Sequence, residues 1–496
     1  MAALPCLLVS CASNKPIATA PIATAPIASS QTGAVQSDTA SQWRGARVQI
    51  DVLVIGGTPS GVAAALAASR HGAKVLLVEP RDALGGDIAF AMLNMFDVPM
   101  RPNGTSSAAT GIFGEFYRPL GIGFDIKKAR ALFEAKVVAQ PNITLWKRAR
   151  VAQVWKNGAR VTGALIEAAP GTLNSALLAA QVGVRAKVVI DATNDADVAA
   201  DVAARAGAKY FIGREAGGFD TKQQSVSLLF SVAGADWKAM TRYVKSVRTM
   251  PAANRIGQEY ASDVAPTTSK EVAASVSNVA PRKLVAHRLG GADGNYIWER
   301  GEAVKTYVPR GANVMALSVN FGRQSDGKVV LNTLNAVGVN GLNFRDKERA
   351  RRAMIAELPF FIAHLRRSMS GLEKIRLVKI APELYVRETR HVRGFYELQV
   401  ADIRGGRKFP DRVALASYPL DLHPYLKGQT NPFAPKRFEY SIPLRSLVPR
   451  SVDGLFVASR CISASYEAAG SARVIPITMA EGEACGVAAA LAAKNN

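Results

Sequence analysis

The sequence contains few cysteines and no long apolar run. Its four cysteines stand at positions 6, 11, 461 and 485, and they form no C-x-x-C pair. The sequence therefore has neither a thioredoxin-like dithiol nor a zinc or iron–sulfur ligand pattern, and no metal site is predicted. Cys461 and Cys485 could pair, but we expect them to be small buried thiols. No stretch reaches the ~18 apolar residues that a transmembrane helix needs, so no such helix is predicted.

Acidic residues are scarce relative to basic ones. The chain carries 62 Lys and Arg against 39 Asp and Glu, a formal net charge of +23. Such an excess is compatible with a nucleic acid, an anionic surface or an acidic substrate. Because the basic residues are dispersed and no recognition motif accompanies them, we expect a generally basic protein without a nucleic-acid partner. The length of 496 residues predicts two interlocked domains after a tail.

The first 47 residues do not have the composition of a folded domain. Residues 8–11, LVSC, resemble a bacterial lipoprotein signal in which Cys11 becomes the lipidated N-terminus, and residues 16–30 read PIATAPIATAPIASS. We interpret residues 1–47 as a signal followed by a disordered tether. This predicts a periplasmic or outer-membrane-anchored protein whose membrane contact is the lipid at Cys11. No Lys or Arg precedes the apolar stretch, so a cytoplasmic protein with a plain disordered tail is the alternative.

A β-strand, a glycine-rich turn, a helix and a second strand follow the tail. Residues 48–54, VQIDVLV, have the β-branched composition of a buried parallel strand. The turn at residues 56–61, GGTPSG, leads into an alanine-rich helix at 62–70. Residues 74–78, KVLLV, form the second predicted strand, which ends at Glu79. This order and spacing are typical of a dinucleotide-binding βαβ unit.

Each position of the turn has a predicted role in this unit. Gly56 permits the tight turn and Gly61 lets the helix pack closely on the strand, while the pyrophosphate is expected at the helix N-terminus. Glu79 is expected to accept hydrogen bonds from the ribose hydroxyls of adenosine. Thr58 replaces the middle glycine of the G-x-G-x-x-G pattern. A glycine-rich turn in a protein that binds no nucleotide is the alternative.

Two further segments favour FAD over NAD. Leu84-Gly85-Gly86 follows Glu79 at a spacing that lets the chain pass close to a second part of an extended dinucleotide. Residues 188–197, VVIDATNDAD, form another buried strand that ends in Ala-Thr-Asn. This segment resembles the Ala-Thr-Gly of flavoproteins with two dinucleotide-binding domains. Asn194 replaces the glycine, and asparagine tolerates a positive φ better than other side chains do.

The C-terminal quarter resembles a specific family. Residues 455–476, LFVASRCISASYEAAGSARVIP, are similar to the C terminus of bacterial FAD-dependent oxidoreductases of this flavoprotein type, approximately LVAGRCISAxxEAxGSxRVxP, with Ser459 in place of a glycine. Shorter matches lie between residues 111 and 138 and at RETR (387–390), GRKFPD (406–411), YPLDLH (418–423) and IPLRSLVP (442–449). The resemblance covers roughly residues 50–493.

The resemblance implies an α/β fold in which a discontinuous, Rossmann-like FAD-binding domain carries an inserted α+β substrate domain. The FAD-binding domain is expected at residues 48–105, 140–215 and 445–496, with a helical connection at 106–139. The insert at 216–444 is expected to form the substrate or cap domain. The residues predicted to bind FAD are Gly56, Gly57, Thr58, Pro59, Ser60, Gly61, Glu79, Pro80, Arg81, Gly85, Gly86, Ala192, Thr193, Asn194, Arg460 and Arg473.

The candidate catalytic residues lie in the insert. Asp421 and His423 are two residues apart, so in an extended chain both side chains point to one face. A histidine held by a neighbouring polar group is a suitable base for a hydroxyl or amine proton. The alternative is a structural histidine that hydrogen-bonds the backbone.

Three arginines are candidates for binding negative charge. Arg387 and Arg390 are candidate catalytic residues that bind a substrate carboxylate or stabilise charge near the reduced flavin. Salt bridges to Glu388 or Asp402 are the alternative for both. Arg473 is expected near the pyrimidine edge of the flavin, with a phosphate or structural contact as the alternative.

These features predict an FAD-dependent oxidoreductase that transfers hydride from a small organic or sugar-like substrate to flavin N5, with an unidentified electron acceptor. One alternative is a flavin-dependent lyase or isomerase. The other is a tethered surface-binding protein that retains a flavin fold. Loss of flavin absorbance with substrate separates the first from the other two.

Overall fold

The computed structural model describes residues 43–102, 110–169, 181–199, 209–248, 296–299, 304, 306–433 and 436–495. Most of the predicted signal and tether, including Cys11, lies outside these residues. The strands are β1 (Arg47–Ile55), β2 (Val75–Glu79), β3 (Ile143–Lys147), β4 (Ala149–Asn157), β5 (Arg160–Ala168), β6 (Gln181–Asp191), β7 (Tyr210–Ile212), β8 (Val226–Ala233), β9 (Tyr296–Glu299), β10 (Val314–Arg323), β11 (Val329–Ala336), β12 (Arg376–Ile380), β13 (Arg390–Val392), β14 (Arg412–Ala416), β15 (Tyr440–Pro443) and β16 (Leu455–Val457). The α-helices are α1 (Pro59–Arg70), α2 (Asp87–Phe90), α3 (Gly111–Leu120), α4 (Ile126–Val138), α5 (Trp237–Arg248), α6 (Phe344–Ser368), α7 (Val400–Arg404), α8 (Tyr466–Ala472) and α9 (Ile475–Lys494).

The first sheet has seven strands in the order β3-β2-β1-β6-β5-β4, with β16 also paired to β6. Strands β3, β2, β1, β6 and β16 are parallel, whereas β4 and β5 are antiparallel. β6 is long enough to pair with β5 through its first residues and with β16 through its last three. The last strand of the chain thus returns to the middle of the sheet, beside β6, which itself pairs with the first strand β1.

The predicted βαβ unit is confirmed as β1, α1 and β2. Val54 of β1 pairs with Leu77 of β2 and with Ile190 of β6, and all three side chains are buried. The helix begins at Pro59, three residues before the predicted start, because the Thr58 side chain caps its N-terminus and proline is favoured in the first turn. Residues 59–61 of the glycine-rich turn therefore form the N-terminal turn of α1.

The backbones of α1 and α9 approach each other closely. A Cβ atom on Gly482 of α9 would lie 2.1 Å from the Ser60 carbonyl oxygen, and one on Gly486 would lie 2.2 Å from the Ala64 carbonyl oxygen. These distances are well below van der Waals contact. Glycine at both positions lets the backbone of α9 approach that of α1, which locks the C terminus onto the first βαβ unit.

Replacing Gly486 with alanine is expected to separate these two helices. The added methyl group has to displace the backbone of α1, and such overpacking costs about 1–3 kcal/mol in the free energy of unfolding. Denaturant unfolding of the Gly486→Ala variant measures this loss. Gly114→Ala in α3 is the matched control, because the nearest atom to its Cβ, on the Arg118 side chain, is 3.9 Å away. A Gly486→Ala variant as stable as Gly114→Ala would contradict the close packing.

The second sheet is antiparallel and has the order β12-β8-β11-β10-β9. Its strands pack on the 25-residue helix α6, and Phe230, Phe321 and Phe361 are fully buried in the core between them. This core is separate from that of the first sheet. It corresponds to an α+β unit inserted in sequence between β6 and β16 of the first sheet. The observed architecture agrees with the predicted fold class.

The predicted insert at 216–444 contributes to both cores. Residues from 226 to 386 build the core of the second sheet. The hairpin of β14 and β15 instead packs on α9, and Phe409, Ala416 and Tyr440 are buried in the core of the first sheet. Helices α3 and α4, from the predicted helical connection, pack in that same core. The core of the first sheet thus includes residues from outside the segments predicted for the FAD-binding domain.

Helix α9 has the length and apolar composition that a membrane span requires, and no other described helix does. More than half of its most apolar window is buried within the protein, where it packs on α1 and β14. Its apolar character is therefore explained by its central position in the first core. Cys461 and Cys485 are both buried and unpaired, which confirms their prediction as small buried thiols.

Candidate active site

The glycine-rich turn between β1 and α1 leaves no room for side chains at two positions. Gly56 has φ +103°, and a Cβ there would lie 2.7 Å from the Ala192 carbonyl oxygen. A Cβ on Gly61 would lie 1.9 Å from the carbonyl oxygen of Gly56. Both predicted roles are therefore observed: Gly56 makes the turn, and Gly61 brings the helix N-terminus against the strand ends.

Thr58 fits the turn because its position does not require glycine. Its backbone is extended, with φ −69° and ψ 168°. The hydroxyl group donates to the Ala192 carbonyl oxygen at 2.8 Å and accepts from the Gly61 N–H at 3.2 Å. The departure from the glycine pattern thus adds a helix cap and ties the turn to the end of β6.

Glu79 lies at the end of β2 and is fully buried. Its carboxylate accepts hydrogen bonds from the Gly57 N–H at 2.7 Å, the Arg81 N–H at 3.0 Å and the Arg81 Nε at 2.7 Å. Arg81 also pairs with Glu383, which lies between β12 and β13, at 3.0 Å, while Pro80 is exposed. Glu79 therefore lies where the fingerprint places it, beside the turn, and Arg81 joins this turn to the segment after β12.

The Gly85-Gly86 segment folds back onto the same turn. The Gly85 N–H donates to the Gly57 carbonyl oxygen at 2.7 Å, and the two glycines have φ values of +108° and +51°. Asp87 follows directly and begins the short helix α2. The two glycines thus deliver the Asp87 side chain to the N-terminal end of α1.

The segment after β6 differs from the sequence-based expectation at one residue. Asn194 was expected to tolerate a positive φ, but it does not adopt one, and Ala196 has φ +51° instead. The Asn194 amide donates to Asp87 at 3.2 Å, and Thr193 donates to Asp191 at 2.7 Å through its hydroxyl. The asparagine therefore contributes through its side chain, and this position does not need the positive φ that asparagine tolerates.

Arg460 joins two carboxylates that the sequence did not single out. Its guanidinium lies 3.3 Å from Asp87 and 2.7 Å from Asp195. Burial raises the pKa of Asp87 to about 6, and Arg460 opposes this only in part. Burial also acts to raise the pKa of Asp195, but the charge and hydrogen bond of Arg460 outweigh it and lower the value. The signal for Asp87 was its position directly after the glycine pair.

The predicted pair Asp421 and His423 is held by Arg473. The Asp421 carboxylate lies 2.9 Å from Arg473 Nη2 and 3.4 Å from His423 Nε2. Arg473 also donates to the Asp421 carbonyl oxygen at 3.1 Å and to the Tyr385 hydroxyl at 3.1 Å. The two side chains meet on one face of an extended segment, as predicted, and residues far apart in sequence complete the cluster.

The cluster keeps His423 neutral and Asp421 ionised. Burial and the positive charge of Arg387 lower the pKa of His423 to about 4, against the opposing effect of Asp421. Burial acts to raise the pKa of Asp421, but contacts with His423 and Arg473 hold it well below its usual range. His423 Nε2 faces a carboxylate, so we assign its proton to that nitrogen. Nδ1, buried and without a partner, carries the lone pair.

Arg387 and Arg390 lie in different surroundings. Arg387 is buried, donates to the Ser225 carbonyl oxygen at 2.7 Å and stacks on Tyr385 with 4.7 Å between guanidinium carbon and ring centre. Arg390 donates to the Asp195 carbonyl oxygen at 2.6 Å and pairs with Asp197 at 3.3 Å. Neither forms the salt bridge to Glu388 or Asp402 that the sequence allowed. Only Arg387 belongs to the surroundings of His423.

A cavity lies where these elements meet. It is lined by the N-terminal ends of α1 and α9, residues 385–387 between β12 and β13, and the two arginines of the C-terminal motif: Pro59, Ser60, Asp87, Asn194, Tyr385, Val386, Arg387, Arg460, Arg473, Ile475 and Thr478. His423 is not part of this wall but is linked to it through Asp421 and Arg473. A larger groove at the surface, lined by Phe395, Leu444 and Val448 among others, contains none of the predicted site residues.

The residues around the cavity fit FAD. The glycine turn and the end of α1 provide the close backbone approach that a pyrophosphate needs. The Nε atoms of Arg460 and Arg473, which also line the cavity, are buried without a partner and are available to the oxygen and nitrogen acceptors of a flavin ring. In the described part of the chain, no group of three or more His, Cys, Asp or Glu residues is arranged to hold a metal ion.

The chain is similar to a known protein family and to several solved structures. The sequence profile of the family described as FAD dependent oxidoreductase matches residues 51–496. A geranylgeranyl bacteriochlorophyll reductase-like protein from Thermoplasma acidophilum is 13% identical over 91% of this chain and 80% of its own, with a TM-score of 0.41. The p-nitrophenol 4-monooxygenase of Pseudomonas putida DLL-E4 is 12% identical over 71% of this chain and 70% of its own, with a TM-score of 0.35. No curated protein matches the sequence.

Proposed function

This chain belongs to the FAD dependent oxidoreductase family, and from that premise we propose that it oxidises a small organic or sugar-like substrate by hydride transfer to flavin N5. The observation that carries the proposal is the link from the Asp421–His423 pair, through Arg473, to the cavity at the ends of α1 and α9. A proton acceptor is thus connected to the cofactor site. Such a group is what the oxidation of a hydroxyl or amine requires.

Two sets of residues hold the cofactor in this proposal. Gly56, Gly61 and the capped N-terminus of α1 accommodate the pyrophosphate, and Glu79 faces the ribose of adenosine. Arg460 and Arg473 lie on the ring side of the cavity, where positive charge favours the reduced, anionic flavin. When bound, FAD supplies the two-electron acceptor for the substrate hydride.

The chain itself supplies proton transfer and orientation. The neutral imidazole of His423 accepts the hydroxyl or amine proton at Nδ1 while the hydride leaves the adjacent carbon. Asp421 faces Nε2, fixes the tautomer and stabilises the imidazolium that forms. Arg473 holds Asp421 in place by binding both its carboxylate and its carbonyl oxygen.

The pH dependence of flavin reduction follows from the lowered pKa of His423. Neutral imidazole is the active form, so we expect the rate to be constant near neutral pH and to fall only as the pH drops through about 4. Removing the Arg387 charge raises the pKa of His423, so Arg387→Met is expected to shift this acid limb to higher pH. Stopped-flow flavin reduction across the pH range measures the acid limb of the wild type and of the variant. A wild-type acid limb near 6.5, the ordinary pKa of histidine, would contradict the assignment.

An anaerobic substrate screen tests the proposed function. Purified protein with bound FAD is mixed without oxygen with candidate alcohols, amines and sugars, and the flavin absorbance and the products are followed together. Oxidation is expected to bleach the flavin with one equivalent of product per FAD. Product formation with an unchanged flavin spectrum would identify a lyase or isomerase. If no compound of the panel reacts and the protein binds only anionic polymers, the surface-binding alternative is favoured.

We also propose that the protein is anchored through a lipid on Cys11. The support is the LVSC sequence at residues 8–11 and the Pro- and Ala-rich tether after it. Cys11→Ser is expected to move the protein from the membrane fraction to the soluble fraction in a bacterial host with lipoprotein processing, with Cys6→Ser as the matched control. Wild-type protein that is already soluble and begins at Met1 by mass spectrometry would contradict the anchor.

A further inference from the structure

Arg387 is a buried cation that makes no direct ion pair with a described carboxylate. It is 4% exposed, and its one hydrogen bond in the described structure goes to a carbonyl oxygen, that of Ser225. Its Nε has no partner, and its guanidinium stacks on the Tyr385 ring. A buried charge without an ionic partner is strongly unfavourable, so an anion is expected to bind beside it.

The carboxylates near Arg387 are engaged elsewhere. Asp421 binds Arg473 and His423. Glu388, the next residue in the chain, accepts from the Gln224 N–H at 2.9 Å and contacts His391 Nε2 at 3.1 Å. Asp97 acts on Arg387 only through its field, and it interacts with the Tyr418 hydroxyl. In the described part of the protein, none of the three carboxylates makes an ion pair with Arg387.

Further polar groups without partners lie in the segment that contacts Arg387. Ser225 Oγ and Gln224 Nε2 are buried and have no hydrogen-bond partner. The same Gln224 side chain accepts from the His423 N–H at 3.0 Å through its oxygen, and the Ser225 carbonyl accepts from Arg387 at 2.7 Å. Residues 224 and 225 therefore connect Arg387 to the backbone N–H of His423. Arg387 Nε, Ser225 Oγ and Gln224 Nε2 are three unpartnered donors on residues in contact with one another, and a set of donors that includes a cation suits a carboxylate better than a neutral group.

We propose that Arg387, with Gln224 and Ser225, binds the carboxylate of the substrate, and that the substrates are small 2-hydroxy carboxylic acids. The inference rests on the proposed function and names its substrate class. In this proposal the hydroxyl to be oxidised is on the carbon next to the carboxylate, because residues 224 and 225 join Arg387 to the backbone of His423. In the reaction the C2 hydride leaves to oxidised FAD, the hydroxyl proton goes to His423 and the C–O bond becomes C=O, which gives a 2-oxo acid and reduced FAD.

Matched pairs of acids and amides test the carboxylate site. Lactate and lactamide, mandelate and mandelamide, and the non-oxidisable benzoate and benzamide are titrated into the FAD-bound protein. Binding is read from the perturbation of the flavin spectrum and from the thermal shift, and reduction is read anaerobically. Each acid is expected to bind about 10- to 100-fold more tightly than its amide, since a hydrogen bond to a charged group is lost in the amide.

Variants at two arginines complete the design. Arg387→Met is expected to abolish the preference for acids, and Arg387→Lys to restore part of it. Arg393→Gln is the control, because Arg393 is exposed, lies in the same segment and stacks on Phe211 at 4.1 Å. If Arg387→Met fails to fold, the wild-type comparison of acids with amides and the Arg387→Lys variant decide the question.

The outcomes separate the carboxylate site from the oxidation itself. Equal binding of acids and amides to the wild type, or no binding by any acid of the panel, overturns the carboxylate site. Acids that bind with the expected preference while no substrate of any class reduces the flavin support the carboxylate site and contradict the proposed oxidation. Flavin reduction by amides as fast as by acids leaves the oxidation in place and overturns the substrate class.

Discussion

Replacing His423 with alanine is expected to slow flavin reduction by about 100- to 10,000-fold, the usual contribution of a positioned general base. The FAD content is expected to stay near that of the wild type, because His423 contacts the cofactor cavity only through Asp421 and Arg473. The measurement is the rate of anaerobic reduction per bound flavin, with a saturating substrate. A normal rate per flavin would remove His423 from the mechanism.

His423→Gln is the matched control for proton transfer. Glutamine retains a hydrogen-bonding side chain but is not a base, so the rate is expected to fall about as far as in the alanine variant. A structural role for His423 predicts a different pattern, in which both variants lose folded protein or FAD while the rate per bound flavin is unchanged. Arg387 and Arg473, which line the cavity, would then be the remaining candidates for the reacting centre.

Replacing Gly61 with alanine is expected to weaken FAD binding by roughly 5- to 150-fold, the equivalent of about 1–3 kcal/mol of overpacking. A methyl group there meets the Gly56 carbonyl oxygen at 1.9 Å and the Ala192 side chain at 3.0 Å. The N-terminus of α1 must move away from the strand ends that form the cofactor site. The measurement is the dissociation constant of FAD, obtained by titrating protein from which the cofactor has been removed.

Gly114→Ala is again the control, since its new methyl group has no close neighbour. This variant is expected to bind FAD as the wild type does, and to be slightly more stable because alanine favours a helix over glycine by about 0.5–1 kcal/mol. Unchanged FAD affinity in a folded Gly61→Ala protein would show that the turn between β1 and α1 does not position the cofactor.

The parts of the site that follow from local sequence were predictable. The turn at Gly56 and Gly61 and the pairing of Asp421 with His423 depend on residues only a few positions apart. The spacing of the two candidate catalytic arginines also indicated that they would not share one face of the chain. Arg387 and Arg390 are separated by an odd number of positions, and side chains at odd separations in an extended chain point to opposite faces. The structure accordingly places only Arg387 near His423.

The remaining contacts join residues that are remote in sequence, and no local pattern encodes them. Arg473 binds Asp421 across 52 positions, and Arg460 binds Asp87 across 373. Such pairs arise because the last strand and helix return to the first βαβ unit. The same return explains why the β14–β15 hairpin lies in the first core, although its sequence belongs to the predicted insert. Asp87 and Asp195 emerged as site residues only through these contacts.

Deuterium labelling tests whether the substrate loses a hydride to FAD. A substrate that bleaches the flavin is labelled at the carbon to be oxidised, and the rate of anaerobic flavin reduction is compared with that of the unlabelled compound. With hydride transfer, the labelled substrate is expected to reduce the flavin more slowly than the unlabelled one, and unreacted substrate is expected to lose no deuterium to water. Equal rates together with exchange of the label into solvent would contradict it, because they would show proton abstraction from carbon without hydride transfer.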